Sequence, residues 1–533
     1  MTTVLERPAA PVPPAEATRA LAAAEARLLL RSPGLWVGAA LTVALSASWT
    51  WTLEPAWDVF VTNAGMSALV LAGFLVVLGH LAASRDHRHG AQESASALPV
   101  TAERRTTALL VLIPVGGLAG ALTFGLALLA QAPSWPAGVF EPWNALAAVV
   151  LPMTGAAIGI GVGTWLPATS AGPLALFTAA ASLAVLPVLG GSPGSLPWRL
   201  FPVEVEWSPA PGFPRPSGWH LLYLLAMLAA VTTVGLLRHR RWRPGLASVL
   251  GLAVVLAGVA VQRQGAEQTP AGAATLAATE RYLGPEAQRC ERRGRVEYCP
   301  LRGYGRWIPL WRAALEPVVD AVPAAGGDLP AVRQGIGPVT DVVLSLRWAR
   351  HGAWAEDSRV YLVQEFVRVL LGFPAPLLDT LPPATPPGVA PSPGGGASPV
   401  AVAPTGASPG AAPPGQRRVE WPSGTLVLGA APRCSGAGQL RTVVGLYLVA
   451  QAQRDSSWWL AGPDRITLGA MRPGPADRAA AMKLLEAPRE RVAATLAQHW
   501  SRVRSAAPAG DVFAEFGVTD LPVVGDGGGP LCP

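Results

Sequence analysis

The sequence predicts an all-α polytopic membrane domain of about seven transmembrane helices, followed by a C-terminal extracytoplasmic α+β domain, mostly helical, with disulfides. Three observations predict it. Uncharged apolar stretches fill residues 35–262, arginines gather in alternate connections between them, and all four cysteines fall after the last stretch.

The stretches are Leu35–Leu53, Met66–Ser84, Thr107–Gln131, Ala145–Leu166, Leu174–Gly190, His220–Leu237 and Leu246–Gln262, and none contains Asp, Glu, Lys or Arg. A helix needs roughly 20 residues to cross the hydrocarbon core, a length that most of them approach, with Leu174–Gly190 the short one. In lipid each backbone N–H and C=O must find its partner within the segment, so each stretch is read as a helix.

Orientation follows from the arginines. The N-terminal tail carries Arg7, Arg19, Arg27 and Arg31; the second connection carries Arg85, Arg88, Arg104 and Arg105; the sixth carries Arg238, Arg240, Arg241 and Arg243. Alternate connections hold only Arg199 and Arg215, and those around Glu54–Asp58 and Glu141 hold no basic residue. Basic connections are retained in the cytoplasm, so the N-terminus is expected inside. An odd number of spans then puts everything after Gln262 outside. No cleavable signal peptide is expected, because the first apolar run is long enough to remain as an anchor. The net charge of +7 rests on arginine, Lys483 being the only lysine. These charges flank membrane helices, which suits membrane lipids with anionic headgroups and gives no nucleic-acid surface.

The cysteines agree with that sidedness. Cys290, Cys299, Cys434 and Cys532 all lie in the expected outside portion, and an even number on an oxidising side reads as disulfides. Three pairings are possible; Cys290–Cys299 with Cys434–Cys532 is favoured, worth roughly 2.7 and 4.7 kcal/mol of loop-closure entropy. A four-cysteine zinc site would call for C-x-x-C pairs, and the chain has none.

Five regions follow. Residues 1–34 are a cytoplasmic tail in which Glu16–Arg31 reads as a helix, with Leu21 and Leu28 on one face and Arg19 opposite. It is either an interfacial helix or a cytoplasmic extension of the first span. Residues 35–262 are the transmembrane domain. There Gly155, Gly159 and Gly163 form a four-residue stripe, and Gly116 and Gly120 another, which lets helices approach closely. The connection Gly191–Trp219, with Trp198, Phe201, Trp207, Phe213 and Trp219, suits the interfacial belt, whether or not it re-enters the bilayer. Residues 263–373 form the first part of the extracytoplasmic domain, largely helical over Ala271–Leu283, Trp307–Val322 and Asp357–Leu371. Residues 374–416 are a Pro/Gly/Ala-rich linker. Residues 417–533 form the second part, with a strand over Arg418–Leu428 and helices over Leu440–Gln453 and Ala476–Val503, the latter interrupted at Pro488. The outside portion is one domain split by an insertion, or two subdomains on a tether.

The searched-for chemistry is mostly missing. A Walker A loop needs Gly-Lys followed by Ser or Thr, whereas Lys483 sits between Met482 and Leu484. No His precedes Glu, so the H-E-x-x-H zinc helix is absent. Two G-x-S-x-G matches, at Ser192 and Ser408, are each followed by Pro, which lacks the N–H an oxyanion hole needs. The spans hold no carboxylate; His80, at the cytoplasmic end of the second, reads as a snorkelling or capping residue. No catalytic residue, cofactor site or metal site is expected, and the chain is not expected to be an enzyme.

The connection Arg85–Arg105 stands apart: it is longer than a turn, carries charges of both signs and breaks at Pro99 before a second basic cluster. Such a loop suits docking on a cytoplasmic partner. With Arg85, Arg88, Gly90, Glu93, Leu98, Pro99 and Arg105, it resembles the loop between the second and third spans of permease subunits of actinobacterial type-2 ABC exporters. The resemblance extends to Pro167 and Pro173, to Cys290-(x)8-Cys299-Pro300 with Tyr304 and Trp311, and to Pro488, Val492 and Trp500. It implies that a separate ABC ATPase subunit binds Arg85–Arg105 and that two permease subunits, identical or different, form the path. The usual core of that family has six helices; here a seventh carries a large outer domain. The function expected is therefore the permease of an ATP-driven exporter. A membrane-anchored extracytoplasmic binding or scaffold protein is the alternative, and a membrane-bound transferase a weaker third.

Overall fold

The computed structural model describes residues 14–51, 53–91, 101–190, 196–204, 216–238, 244–268, 280–335, 337–338, 340–344, 352–374, 417–421, 424–428, 435–453, 455–461, 466, 468–469, 471, 473–505 and 512–517. The chain is mostly helical and divides into two compact units. The first comprises Met1–Arg289 with Leu301–Arg306 and Ser345–Glu356; the second comprises Cys290–Pro300, Trp307–Leu344 and Asp357–Pro533.

The first unit begins with α1 (Pro14–Arg31) and α2 (Pro33–Thr50). Pro33 has no N–H to continue α1, so the chain breaks at Ser32 and the two helices meet at 55°. α3 (Trp57–Ala83) follows, then α4 (Ala102–Leu109) and α5 (Leu112–Ala130), which together run as one span, then α6 (Pro142–Trp165) and α7 (Ala171–Gly190). α8 (Ser217–Leu237) and α9 (Pro244–Gln268) complete the unit. Among the described residues five helices are long and apolar enough to cross a membrane, namely α3, α4–α5, α6, α8 and α9; the bent pair α1–α2 makes a sixth if it is one span. The sequence expectation of about seven differs in two places. The first stretch is one arm of a broken helix, and in the fifth the apolar portion among described side chains ends at Leu186.

α3 is the hub. Gly155, Gly159 and Gly163 of α6 face it, where a methyl on Gly155 would come 2.8 Å from the carbonyl carbon of Ala72 and one on Gly163 2.7 Å from the Cβ of Ala83. Only hydrogen fits, and the backbones gain close van der Waals contact over several turns. Gly116 and Gly120 of α5 face Pro152 and Ala148 of α6 in the same way. Leu118, Leu122, Leu126 and Leu129 lie on α5's other, exposed side, with Leu118 at 71%. Side-chain size is thus sorted on α5, with glycines against α6 and leucines on the exposed side. α7 lies along α3 in the opposite sense, with Gly172 against His80 and Leu176 against Gly73.

Two sequence readings change here. His80 does not snorkel: it is fully buried, its ring filling the space that Gly172 leaves open. Phe201 is no belt residue either, since residues 196–204 fold back and Phe201 and Val203 join the core formed with Leu221, Leu224 and Ala260. Trp207 and Phe213 lie outside the described residues.

The second unit contains a four-stranded sheet of order β1 (Glu291–Arg293), β2 (Val296–Cys299), β3 (Val332–Gln334) and β4 (Val342–Leu344). β1 and β2 form an antiparallel hairpin; β2–β3 and β3–β4 pair in parallel, with Tyr298 opposite Val332 and Val332 opposite Val342. The sequence predicts a largely helical stretch over 263–373, and the sheet departs from it. Strands of three or four residues are too short for a two-residue period to stand out. Helices α10 (Ile308–Ala321), α11 (Gly352–Leu370), α12 (Leu440–Gln451), α13 (Ser456–Ala461), α14 (Pro475–Glu486) and α15 (Arg489–Val503) follow, with a hairpin of β5 (Arg417–Trp421) and β6 (Gly424–Leu428) before α12. Chain from both sides of residues 375–416 enters this unit: α10 packs on α12, and the Trp500 indole of α15 donates to the carbonyl of Gly326 at 3.2 Å. Arg295 caps the end of α10, donating to the carbonyls of Val322 and Pro323 at 2.5 and 2.7 Å. The helix expected over Ala271–Leu283 falls mostly outside the described residues.

Candidate functional site

The candidate site is built where α3 ends. The Ser84 N–H and hydroxyl both donate to the His80 carbonyl, at 2.9 and 2.7 Å, closing the last turn of α3. Arg85–Arg88 continues as a single turn, so its charges emerge immediately beyond the span. Arg85 reaches back to α1, its two terminal nitrogens donating to the two carboxylate oxygens of Glu25 at 2.9 and 3.0 Å. The Glu25 side chain is only 10% exposed, against 39% for Arg85. A bidentate guanidinium–carboxylate pair of this kind fixes orientation as well as distance. Asp86 accepts from Arg105 of α4 at 2.7 Å, which joins the two ends of the long connection. α4 itself starts at Thr101, whose hydroxyl accepts the N–H of Arg104 at 3.4 Å.

Of the residues expected at this loop, Arg85, Arg88 and Arg105 are therefore at one end of the unit. Gly90 sits in the left-handed region with φ 63°, a turn that a side chain would strain. Glu93, Leu98 and Pro99 lie outside the described residues. Arg88 donates to the Leu81 carbonyl at 2.8 Å and is exposed. Behind it opens a cavity of about 170 Å³, walled by leucines of α1, α3 and α5 together with Glu25, Ser32 and Arg85.

No protein-family model matches the chain, and no curated protein matches it significantly.

Sequence reasoning missed Glu25 and Asp86. The available signal was a single carboxylate, Glu25, in the otherwise basic and apolar second half of α1. A second cluster was also missed, at the other end of the helices. There the Ser217 hydroxyl donates to Glu204 at 2.5 Å, while His220 bonds Gln264 at 3.3 Å and the Pro202 carbonyl at 3.1 Å. All four side chains are buried. They pin residues 196–204 to α8 and α9, a role that no motif announces.

In the second unit Cys290 and Cys299 are bonded at 2.05 Å. The Glu297 carboxylate lies beside them, and Arg333 comes within 3.5 Å of the Cys290 sulfur. With the sulfurs bonded to each other the group offers no thiolate to a metal. Arg333 also pairs with Asp341 across the sheet edge. Cys434 and Cys532 lie outside the described residues. Asp477 is fully buried at the start of α14, accepting from the N–H groups of Gly438 at 3.0 Å and Gly474 at 2.6 Å. Burial pushes its carboxyl up from the ordinary value, and those two N–H groups only partly offset that. Burial also pushes the Tyr298 phenol up to about 12.

Proposed function

We propose that the protein is the membrane-spanning permease subunit of an ATP-driven exporter, coupled through residues 85–105 to a separate ATPase. The observation that carries this reading is the double tether at that loop. Glu25–Arg85 binds its start to α1 and Asp86–Arg105 binds its start to its end. A push from a cytoplasmic partner would therefore not be absorbed by a slack loop. It would pass into α3, and from α3 into α6, because the glycine stripe leaves no play between those helices. A second permease subunit, identical or different, would complete the path; ATP chemistry would reside on the partner.

The sidedness belongs to the same proposal: N-terminus cytoplasmic, second unit extracytoplasmic, seven crossings. It is supported by the arginine distribution, by the disulfide between Cys290 and Cys299, and by the run of α7 alongside α3. If α7 did not cross, the cluster Arg238–Arg243 would emerge on the outside, against the usual bias.

The test is affinity purification of the full chain from its own cells. Recovery of an ATPase with wild type, lost in Glu93→Arg, supports the reading; equal recovery of such a partner with both, or no ATPase with either, argues against it. The second reading, a membrane-anchored binding or scaffold protein, is favoured by the second unit having its own core around Trp311, Phe366 and Phe516. It is distinguished by the absence of any ATPase partner together with ligand capture by the outer unit.

A further inference from the structure

We infer that the cavity beneath Arg88 binds one phospholipid with an anionic headgroup, drawn from the leaflet at the Arg85 end of the bundle. The argument begins with volume. About 170 Å³ is several times the roughly 30 Å³ share of one water, so the space is larger than a single bridging solvent molecule needs. Its walls are Leu28 and Leu29 of α1, Leu78 and Leu81 of α3, and Leu112 of α5, all aliphatic. Arg88 and Ser32 also line it.

Charge decides the headgroup. The only carboxylate lining the cavity, Glu25, is held by both terminal nitrogens of Arg85 and is neutralised where it stands. Arg88 spends one nitrogen on the Leu81 carbonyl and pairs with no carboxylate among the described residues. The cavity therefore presents one net positive charge over a leucine floor. A phosphate diester fits that combination, with its oxygens on the remaining Arg88 donors and the Ser32 hydroxyl and an acyl chain across the leucines.

Position decides the source. Arg85 and Arg88 follow the last residue of a 27-residue apolar span by two and five positions, at the depth where headgroups lie. The 55° bend at Ser32 swings α1 off the line of α2, and Leu28 and Trp36 on either side of it are exposed. The Trp36 indole donates to the Leu30 carbonyl at 2.7 Å, fixing that bend at interfacial depth. A soluble phosphate would match the guanidinium and waste the leucines. The inference needs only that the helices span a bilayer, and it stands or falls apart from the transport reading.

The experiment is native mass spectrometry of the full chain released from nanodiscs containing equal phosphatidylglycerol and phosphatidylcholine. Wild type should retain phosphatidylglycerol over phosphatidylcholine by roughly fivefold, the effect of one guanidinium on an anionic headgroup. Arg88→Gln, at an exposed position that disturbs no packing, should erase the preference, whereas Arg104→Gln on exposed α4 should keep it. Leu28→Trp, which narrows the cavity from its exposed rim, should reduce retention of both lipids. Equal retention of the two lipids by wild type, or an undiminished preference in Arg88→Gln, overturns the inference. Displacement of the bound lipid by excess inorganic phosphate would also overturn it, by marking a site for free anions. Unchanged circular dichroism of each variant keeps loss of fold from being read as loss of binding.

Discussion

Gly138 donates its backbone N–H to the carbonyl of Gly303 at 3.0 Å. Both glycines have positive φ, 90° and 87°, and a side chain on Gly138 would meet the Tyr304 ring at 3.1 Å. Gly138 lies in the connection before α6, at the end of the unit where Trp57 begins α3. Between Gly138 and Gly303 the chain runs through α6, α7, α8 and α9. On the proposed sidedness, a return to that end takes an even number of crossings, with α7 as one of them.

The first prediction follows from that parity. With a membrane-impermeant thiol reagent on intact cells, Ala132→Cys and an epitope fused after Pro533 should both be accessible, while His89→Cys should react only after permeabilisation. Finding the epitope and residue 132 on opposite faces would remove α7 from the membrane.

The glycine stripe gives a paired test. Gly159→Leu would drive a side chain into the α3 backbone around Val76 and His80, at a cost of about 1–3 kcal/mol or more. Gly161→Leu, on the same helix with nothing within 4 Å, should stay within about 0.5 kcal/mol of wild type. Thermal midpoints of the two variants in one detergent decide it, and equal losses would discard the packing argument.

For Glu25 and Arg85, a double-mutant cycle of Glu25→Gln and Arg85→Gln should give a coupling of roughly 0.5–1 kcal/mol, limited by the solvent exposure of the arginine. Additive losses would mean that the pair holds nothing and that α1 is attached by its leucines alone.

Asp477 supplies a pH prediction. Its folded carboxyl titrates above the ordinary value near 3.8, so over the interval above 3.8 the folded state binds more protons than the unfolded. Ionised Asp477 therefore costs stability at neutral pH, and this cost is relieved as pH falls through its raised value. The stability of wild type relative to Asp477→Asn should rise on acidification from pH 7, measured on the same thermal transition. A difference that shrinks instead would mean that the N–H groups of Gly438 and Gly474 outweigh burial.

The disulfide should act as a local staple. Replacing Cys290 and Cys299 by Ser should destabilise the second unit by about 2–3 kcal/mol, an entropic value for a short loop, and reduce its sensitivity to reductant. Equal melting of wild type with and without reductant would contradict it.

The sequence was informative where a property is local. Hydropathy belongs to a stretch, and the absence of charge in Met66–Ser84 already implies the helix now seen as Trp57–Ala83. Pro488 divides α14 from α15 because a ring without an N–H cannot continue a helix, and this too is readable in the chain. The stripe Gly155–Gly163 is visible as spacing, although spacing cannot say which helix lies across it. The sheet was not legible, because three-residue strands in parallel register are defined by partners tens of residues away. His80 was misjudged for a related reason: its burial is decided by the missing side chain of Gly172 on another helix.

By itself the sequence determined that several helices of this protein are apolar enough to live in a bilayer, where the arginines concentrate, and that its cysteines lie beyond them. These are sums over neighbouring residues, and solvent transfer acts on each stretch separately. Only the tertiary structure decided that Glu25 meets Arg85 across 60 residues, that Phe201 turns into the core, and that a leucine-walled cavity opens behind Arg88. Ion pairs and cavities depend on distances through space, which packing sets and chain order leaves free.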